Sequence, residues 1–542
     1  MTKTNNLLFS SAILPLLSFA EPARPNIIIV LADDMGYSDI GCYGGEIETP
    51  NLDQMAKDGI RFLRFYNAAR SCPSRAALLT GLYPHQAGMG AMTGTRNINI
   101  PAYQGVLSRE SVTIAEVLGA AGYQTFIAGK WHLGDDAETA TWPHSRGFKR
   151  AFSYLGGACN LFDATWPGNK KQPPLVLDDQ FYSVPKDFFM TEAITDFSCR
   201  FIRETPADTP VFGYVAHLAP HWPLQERPEN IAKYKGCYDA GWDAIREERY
   251  ERMKKLGVIG EKHQLALRGD GGSLVPAWDS LDAAQQADMA ARMEVYAAQV
   301  SGLDQSVGKI IDVLKETGRY ENTLILFLSD NGACAEPNEE AFGKSWMNPD
   351  APLGTRESFV SYGRAWAEVS NVPFRLWKSK IQEGGIITPL ITHWPAGISS
   401  PAKCDNRQVG HIIDIMATCL DVAGVEYPKE FAGSQIIPYE GISFAPVFQN
   451  QARKEHEFLA WEHFANAGVL KGDWKVVAET KNSPGGRRPG SWRLYNLSED
   501  PTEMKDLSPA FPEKVQELND VYRQWAAHVG VVDSLSDWQK KN

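Results

Sequence analysis

The sequence predicts an α/β fold: a large mixed, mostly parallel sheet sandwiched by helices, with a smaller C-terminal α+β subdomain of antiparallel sheet plus helix. Three observations predict it. Apolar, β-branched runs such as Asn26-Ile27-Ile28-Ile29-Val30-Leu31 read as central strands buried on both faces. Helical patterns with recognisable ends alternate with those runs, as in sheets covered by helices on both sides. From about Tyr439 the pattern changes to shorter strands and one final helix.

The chain has 542 residues, 43% of them hydrophobic, which is ample for a large core. Its amino end reads as an export signal over residues 1–20: Lys3, the apolar stretch Leu7 to Phe19, then Ser18-Phe19-Ala20 before Glu21. That stretch is too short to span a bilayer and holds no cysteine for a lipid anchor. No later segment is long and apolar enough to span one. The expected product is exported, periplasmic or secreted, with a large domain over residues 21–438 and the subdomain over residues 439–542.

The first strand ends in Asp33-Asp34, and two adjacent carboxylates at the end of a buried strand repel each other unless a cation sits there. The run Ser71-Cys72-Pro73-Ser74-Arg75 follows, ahead of the helix-forming Ala76-Ala77-Leu78-Leu79. Pro73 suits a first helical turn, so Ser71 falls at a helix N-terminus whose N–H groups favour an anion. Arg75, one turn on, reaches back over the Ser71 side chain. Taken alone, such a pattern is usually an ordinary Ser-rich helix cap.

Thr113-Ile114-Ala115-Glu116 is a capping box opening a helix that closes at Gly122. It leads into the strand Thr125 to Gly129, where period two sends Lys130 and His132 to one side and Trp131 away. Val211 to Ala216 is a further strand, entering a Pro-bounded loop with His221 ahead of a Trp-Pro step; His217 is read as only holding that loop. Gln225 to Ala291 is polar and Gly-interrupted, a solvated excursion near the substrate entrance with a charged helix over Asp243 to Leu256. Arg292 to Glu316 is an amphipathic helix feeding the strand Thr323 to Ser329, which ends in Asp330-Asn331. Asp33, Asp34, Asp330 and Asn331 make an all-oxygen donor set, suited to Ca²⁺ at ~2.3–2.6 Å rather than to the strict octahedron of Mg²⁺. No His or Cys cluster argues for zinc. Past Val372-Pro373 come Lys378 and Lys380, the latter read as solvated.

The C-terminal strands are read over Phe458 to Trp461, Trp474 to Val477 and Arg493 to Leu497, with a helix over Phe511 to Val529. His463 is assigned to core packing. The eight cysteines show no paired spacing, so export permits disulfides that nothing indicates. With 66 acidic against 54 basic residues the net charge is −12, which argues against nucleic-acid binding.

These motifs, in this order, resemble the type I sulfatases of the alkaline-phosphatase-like superfamily, the arylsulfatase branch in particular. The family signature is Cys or Ser, any residue, Pro, any residue, Arg, and it fits when counted from Ser71; from Cys72 both fixed residues arrive one place early. The resemblance spans nearly the whole mature chain, including Tyr238-Asp239-Ala240-Gly241-Trp242-Asp243 with Arg246-Glu247-Glu248-Arg249. It implies a serine-type enzyme in which a maturation enzyme of the bacterial cytoplasm oxidises Ser71 to formylglycine. It further implies one Ca²⁺ held by Asp33, Asp34, Asp330, Asn331 and the modified Ser71. Arg75 and His132 would hold the formylglycine diol, Lys130 and Lys378 the sulfate oxygens, and His221 the bridging oxygen of the ester.

A sulfate monoester repels nucleophiles through its own oxygens, and Lys130, Lys378, Arg75 and Ca²⁺ would offset that charge. One diol oxygen, its proton taken by Asp330, attacks sulfur while His221 protonates the departing alcohol. His132 then removes the second hydroxyl proton, the aldehyde re-forms and sulfate leaves by C–O cleavage. The expected activity is sulfuric ester hydrolysis on an arylsulfatase-type substrate, with a sulfated polysaccharide or oligosaccharide as the alternative. Less favoured are a phosphate or phosphonate ester hydrolase of the same superfamily and a non-enzymatic binder of sulfated glycans.

Overall fold

The computed structural model describes residues 24–93, 99–166, 173–269, 275–336, 348, 350–399, 405–483 and 486–532. The export signal expected over residues 1–20 and Cys404 lie outside them. Ten strands form the main sheet: β1 (Asn26–Ala32), β2 (Ile60–Phe62), β3 (Gln124–Lys130), β4 (Arg150–Tyr154), β5 (Leu175–Leu177), β6 (Gln180–Phe181), β7 (Val211–Ala216), β8 (Thr323–Ser329), β9 (Leu390–His393) and β10 (Asp405–Asn406). Across the sheet they run β10-β2-β9-β8-β1-β7-β3-β4-β5-β6. The centre is parallel, from β8 through β1, β7 and β3 to β4. Towards the margins the pairs turn antiparallel, except for β10 on β2.

Every residue of β1 is buried, as its unbroken apolar run requires, and alternate side chains enter two cores. The helices that cover the sheet and frame the cleft are α1 (Pro50–Asp58), α2 (Ser71–Thr80), α3 (Ile114–Ala120), α4 (Met190–Glu204), α5 (Gly241–Lys255), α6 (Ala283–Glu316), α7 (Asp414–Ala423) and α8 (Pro512–Val529). Ile27, Ile29 and Leu31 pack with residues of α2, α3 and α7. Ile28 and Val30 pack with residues of α1, α4 and α6. Each such side chain contributes roughly 1.5–3 kcal/mol on burial. Gly129, at the end of β3, has φ +117°, and a Cβ there would lie 1.9 Å from Ala216 O. Only glycine fits the bend that delivers Lys130 to the sheet edge.

The capping box is present: Glu116 N–H donates to Thr113 Oγ1 at 3.0 Å and Thr113 N–H to Glu116 Oε2 at 2.7 Å. Two expectations are corrected. Helix α6 begins at Ala283 rather than Arg292, because a second capping box of Asp282 and Gln285 sets its start in a stretch too poor in large apolar residues to show a period. The stretch after Gln225 is a solvated excursion only in part. Tyr238, Trp242 and Trp278 pack around Trp366 with centroids 5.6–6.2 Å apart. Arg249 of the charged helix is fully buried, 2.7 Å from both Asp39 and Glu46. Its charge, which suggested solvent, is neutralised by partners some two hundred residues away.

At the C-terminus β11 (Leu459–His463), β12 (Asn466–Lys471), β13 (Trp474–Ala478) and β14 (Arg493–Asn496) form an antiparallel sheet in that order, with α8 packed on β12 and β13. Strand β12 escaped the sequence reading because Asn466-Ala467-Gly468 carries little β signal. Lys475 of β13 is buried between Glu383 and Glu503 at 2.5 and 2.9 Å, tying this sheet to the large domain. The seven described cysteines are all free. No helix among the described residues is long and apolar enough to cross a membrane.

Candidate active site

Strands β1 and β8 are parallel neighbours with Ala32 opposite Ser329, so the residues that follow leave the sheet side by side at its carboxyl edge. Asp33, Asp34, Asp330 and Asn331 all become buried there. Asp33 N–H donates to Ala219 O at 3.1 Å. Asp34 takes a left-handed φ of +66°, uncommon for a residue with a Cβ, and donates its N–H to Asp330 Oδ1 at 3.1 Å. Asn331 Nδ2 donates to Asp34 Oδ1 at 2.6 Å, which leaves Asn331 Oδ1 as an acceptor.

Helix α2 brings Ser71 to this edge at its first position. Ser71 Oγ lies 3.3 Å from Asp33 Oδ1 and 3.4 Å from Asn331 Oδ1. Cys72 packs instead into the core with Ala76 and Leu79, so the register that makes Ser71 the cleft residue is visible in the fold. One turn on, Arg75 donates to Asp330 Oδ2 through Nη2 at 2.9 Å and Nε at 3.1 Å, and to Lys130 O through Nη1 at 3.2 Å. Lys130 Nζ is 2.6 Å from Asp33 Oδ2, and Lys378 Nζ is 2.7 Å from Asp34 Oδ2.

Two histidines complete the edge. His221 Nε2 approaches Asp34 Oδ2 at 3.3 Å while Nδ1 meets Trp222 O at 2.5 Å. A carbonyl can only accept, so Nδ1 holds the proton of the neutral ring, and Nε2 takes a second one only when the ring is protonated. His132 has φ +55°, lies against Gly157, and has no hydrogen-bond partner at its buried Nδ1. Trp131, between Lys130 and His132, points away into the core and donates to Thr141 O at 2.9 Å.

Burial pushes the Asp33 carboxyl up, but Lys130, His221 and Arg75 outweigh it and hold Asp33 below the usual carboxylate range. Asp34 is lowered likewise: burial opposes, and Lys378 and His221 prevail. Asp330 goes the other way, raised by burial and the Asp33 charge despite Arg75. Burial, then Lys130 and Arg75, hold His132 well below its ordinary range, so it is a neutral base. Burial also lowers His221, with Asp34 pulling against it.

The ten residues expected at the site thus converge, beside a cleft of about 530 Å³ lined by Ser71, Lys130, His132, His221 and Lys378. His217 does not join them. It is buried with Nε2 3.1 Å from Ser306 Oγ, in the supporting role expected. His463 is fully buried against Phe464, as core packing requires. Lys380 is not merely solvated; it pairs with Glu479 at 3.0 Å. Sequence reasoning missed the ion pair of Arg70 and Glu336 at 2.9 Å in the cleft wall, although Arg70 directly precedes Ser71 and was open to notice. It also missed an aromatic wall in which Trp166, Trp222 and Phe359 lie edge to face at 5.6–6.1 Å.

The donor chemistry fits a divalent cation. Three buried carboxylates face Arg75, Lys130 and Lys378, so the cluster is formally neutral, and a divalent ion would leave it an excess of positive charge suited to an anionic substrate. Asp33, Asp34 and His221 form the one grouping of His, Cys, Asp or Glu close enough to share an ion among the described residues. Asn331 Oδ1 and Ser71 Oγ extend the oxygen set beside it.

Comparison with known proteins gives the geometry a family. Residues 25–425 match the sulfatase family model, and residues 376–525 match that of the C-terminal region of N-sulphoglucosamine sulphohydrolase. An uncharacterized sulfatase of Schizosaccharomyces pombe is 34% identical over 96% of this chain and 97% of its own. An arylsulfatase of Klebsiella aerogenes is 37% identical over 79% of this chain and 93% of its own. The crystal structure of Ps i-CgsB in complex with k-i-k-neocarrahexaose shares the fold, with a TM-score of 0.65 at 24% identity over 93% of both chains. The phosphonate monoester hydrolase of Agrobacterium radiobacter also shares it, with a TM-score of 0.55 at 17% identity over 92% of this chain and 96% of that one, so fold alone does not separate the two chemistries. The family match over the whole large domain does: the chain belongs to the sulfatase family and is a sulfuric ester hydrolase.

Proposed function

We propose that Ser71, oxidised to formylglycine by a maturation enzyme, is the nucleophile of this sulfatase, and that Asp33, Asp34, Asp330, Asn331 and residue 71 hold one Ca²⁺. The carrying observation is the place of Ser71 Oγ, at a helix N-terminus and 3.3–3.4 Å from two oxygens of the strand-end cluster. Formylglycine, when present, supplies as its hydrate one hydroxyl that attacks sulfur and a second whose collapse frees sulfate. Ca²⁺, when bound, neutralises charge on the sulfate.

The chain's own groups do the rest. Arg75 and His132 hold the diol, and Lys130 and Lys378 hold the sulfate oxygens. Asp330 would accept a proton from residue 71. His221, when protonated at Nε2, would deliver that proton to the departing alcohol. His132, neutral and with a buried Nδ1 free of hydrogen bonds, accepts the second hydroxyl proton.

The test is direct. Trypsin cuts after Arg70 and Arg75, and the released peptide of the active enzyme is expected to lack two hydrogens at Ser71. Ser71→Ala is expected to lose ~10³-fold or more in kcat on an aryl sulfate. An unmodified Ser71 in fully active protein overturns the reading.

The substrate is an aryl sulfate or a sulfated oligosaccharide. Trp166 and Trp222, which line the cleft with His221 and pack on the buried Phe359, favour a flat leaving group, and either an aromatic ring or the apolar face of a sugar would stack there. A structural neighbour described with its substrate D-glucosamine-2-N,6-O-disulfate keeps the saccharide reading open. Turnover of a chromogenic aryl sulfate beside sulfated mono- and oligosaccharides decides between them. Export through the signal at residues 1–20 and a subdomain boundary near residue 439 belong to the same proposal.

A further inference from the structure

Trp222 and Trp166, proposed to meet the organic part of the ester, stand on two different loops, and the buried Phe359 that backs them stands on a third. All three loops lie outside the helices and strands. The rings are 5.6–6.1 Å apart, and aromatic contact is sensitive to such spacing, so the loops need a common anchor.

The side chain of Gln225 supplies one. It follows Trp222 by three residues, is fully buried, and does not line the cleft. Its Nε2 faces three carbonyls of the Phe359 loop: Thr355 O and Arg356 O at 3.1 Å and Ser358 O at 2.8 Å. Its Oε1 accepts from Leu161 N–H at 2.8 Å, in the loop that leads to Trp166. Other bonds join these loops two at a time. Leu224 N–H donates to Val360 O at 3.0 Å and Glu226 N–H to Gly354 O at 3.1 Å, while Asn160 Nδ2 donates to Arg356 O at 2.6 Å. The Gln225 amide joins all three. Its chemistry is demanding, because the position needs donors for carbonyls and an acceptor for an N–H on one side chain. Asn is a methylene too short, and an ionised Glu would set its charge against three carbonyl dipoles.

We infer that Gln225 is a positioning residue for leaving-group recognition: its amide sets the spacing of the loops that carry Trp222, Trp166 and Phe359. It thereby governs how tightly the organic part of the ester is held, and not how the sulfate is held. The inference rests on the proposed placing of the ester in this cleft, but not on how residue 71 is modified.

Steady-state kinetics of the calcium-loaded enzyme on a bicyclic aryl sulfate test this through a double-mutant cycle of Gln225→Met and Trp166→Ala. Each single variant is expected to raise KM ~3-fold to 10-fold, the scale of one aromatic contact, with kcat kept. In the Trp166→Ala background, Gln225→Met should add less than about twofold. The inhibition constant of inorganic sulfate, which has no organic part, should stay that of the parent throughout. A residue that only supports the fold would lower kcat through loss of active molecules and leave KM alone. That result, full additivity of the two KM effects, or a matching rise in the sulfate constant overturns the inference. Where Gln225→Met does not fold, Gln225→Glu takes its place. Protonated in this buried setting, it keeps the length, the acceptor for Leu161 N–H and one donor, so its rise in KM should be smaller and equally lost in Trp166→Ala. An unchanged KM in Trp166→Ala overturns both this inference and the aromatic-wall reading of the cleft, whereas additive effects overturn the inference alone.

Discussion

Lys130 Nζ stands 2.6 Å from Asp33 Oδ2, and the other oxygen of that carboxylate is 3.3 Å from Ser71 Oγ. One carboxylate therefore links the amine proposed to meet the sulfate with the side chain proposed to attack it. Removing the amine leaves Asp33 buried without its closest partner. Lys130→Met is expected to destabilise the metal-free protein by about 3 kcal/mol and to lower kcat by ~10²-fold or more. Calcium, by restoring positive charge at Asp33, should recover most of the stability but not the turnover. Thermal midpoints with and without chelator, beside steady-state rates, check both halves.

Chelation of the parent enzyme should abolish turnover and lower the thermal midpoint. A ligand present at a hundred times its Kd stabilises by about 2.7 kcal/mol, which sets the scale of the shift. The irregular oxygen set predicts that Ca²⁺ restores both properties at lower concentration than Mg²⁺. Equal potency of the two ions would count against the assignment.

Gly157→Ala offers a test of His132 that leaves the ring in place. A Cβ on residue 157 would lie 2.7 Å from His132 Cε1, so the imidazole must turn aside. The expected variant folds normally, with stability within ~1 kcal/mol of the parent, and loses ~10-fold to 100-fold in kcat. Circular dichroism and initial rates on an aryl sulfate measure the two.

The buried His217 sets part of the acid sensitivity. Burial lowers its imidazole from 6.5 to about 3, so between these values the unfolded chain binds a proton that the folded chain refuses. Its contribution to stability is full above pH 6.5 and is lost as pH falls, at up to ~1.4 kcal/mol per pH unit. His411, lowered to about 3 by burial, acts in the same direction. Urea midpoints from pH 7 to 4 should fall less steeply in His217→Gln than in the parent.

The site was legible in the sequence because it hangs on strand ends. Asp33 and Asp330 each follow an apolar run, and the pairing of Ala32 with Ser329 makes neighbours of residues far apart in the chain. The choice of Ser71 over Cys72 rests on the family signature, in which Pro73 and Arg75 take the fixed places when counted from Ser71. Elements whose stability comes from distant partners were not legible. Arg249 reads as solvated until Asp39 and Glu46 appear beside it, and Glu336 carries no local pattern that ties it to Arg70. The start of α6 was missed for the opposite reason: its signal was local, in Asp282 and Gln285, while the periodicity there was weak.

Helix α2 is buried along its entire length, and Ser71 is only 2% exposed. A catalyst that must grip the backbone around this residue finds nothing to hold once the helix has docked on the sheet. If Ser71 is oxidised as proposed, the oxidation would have to win a race against folding. Chains that collapse first would be locked as well-formed but inert protein, so the yield of active enzyme in a foreign host should follow the supply of the modifying catalyst rather than the quantity of chain made.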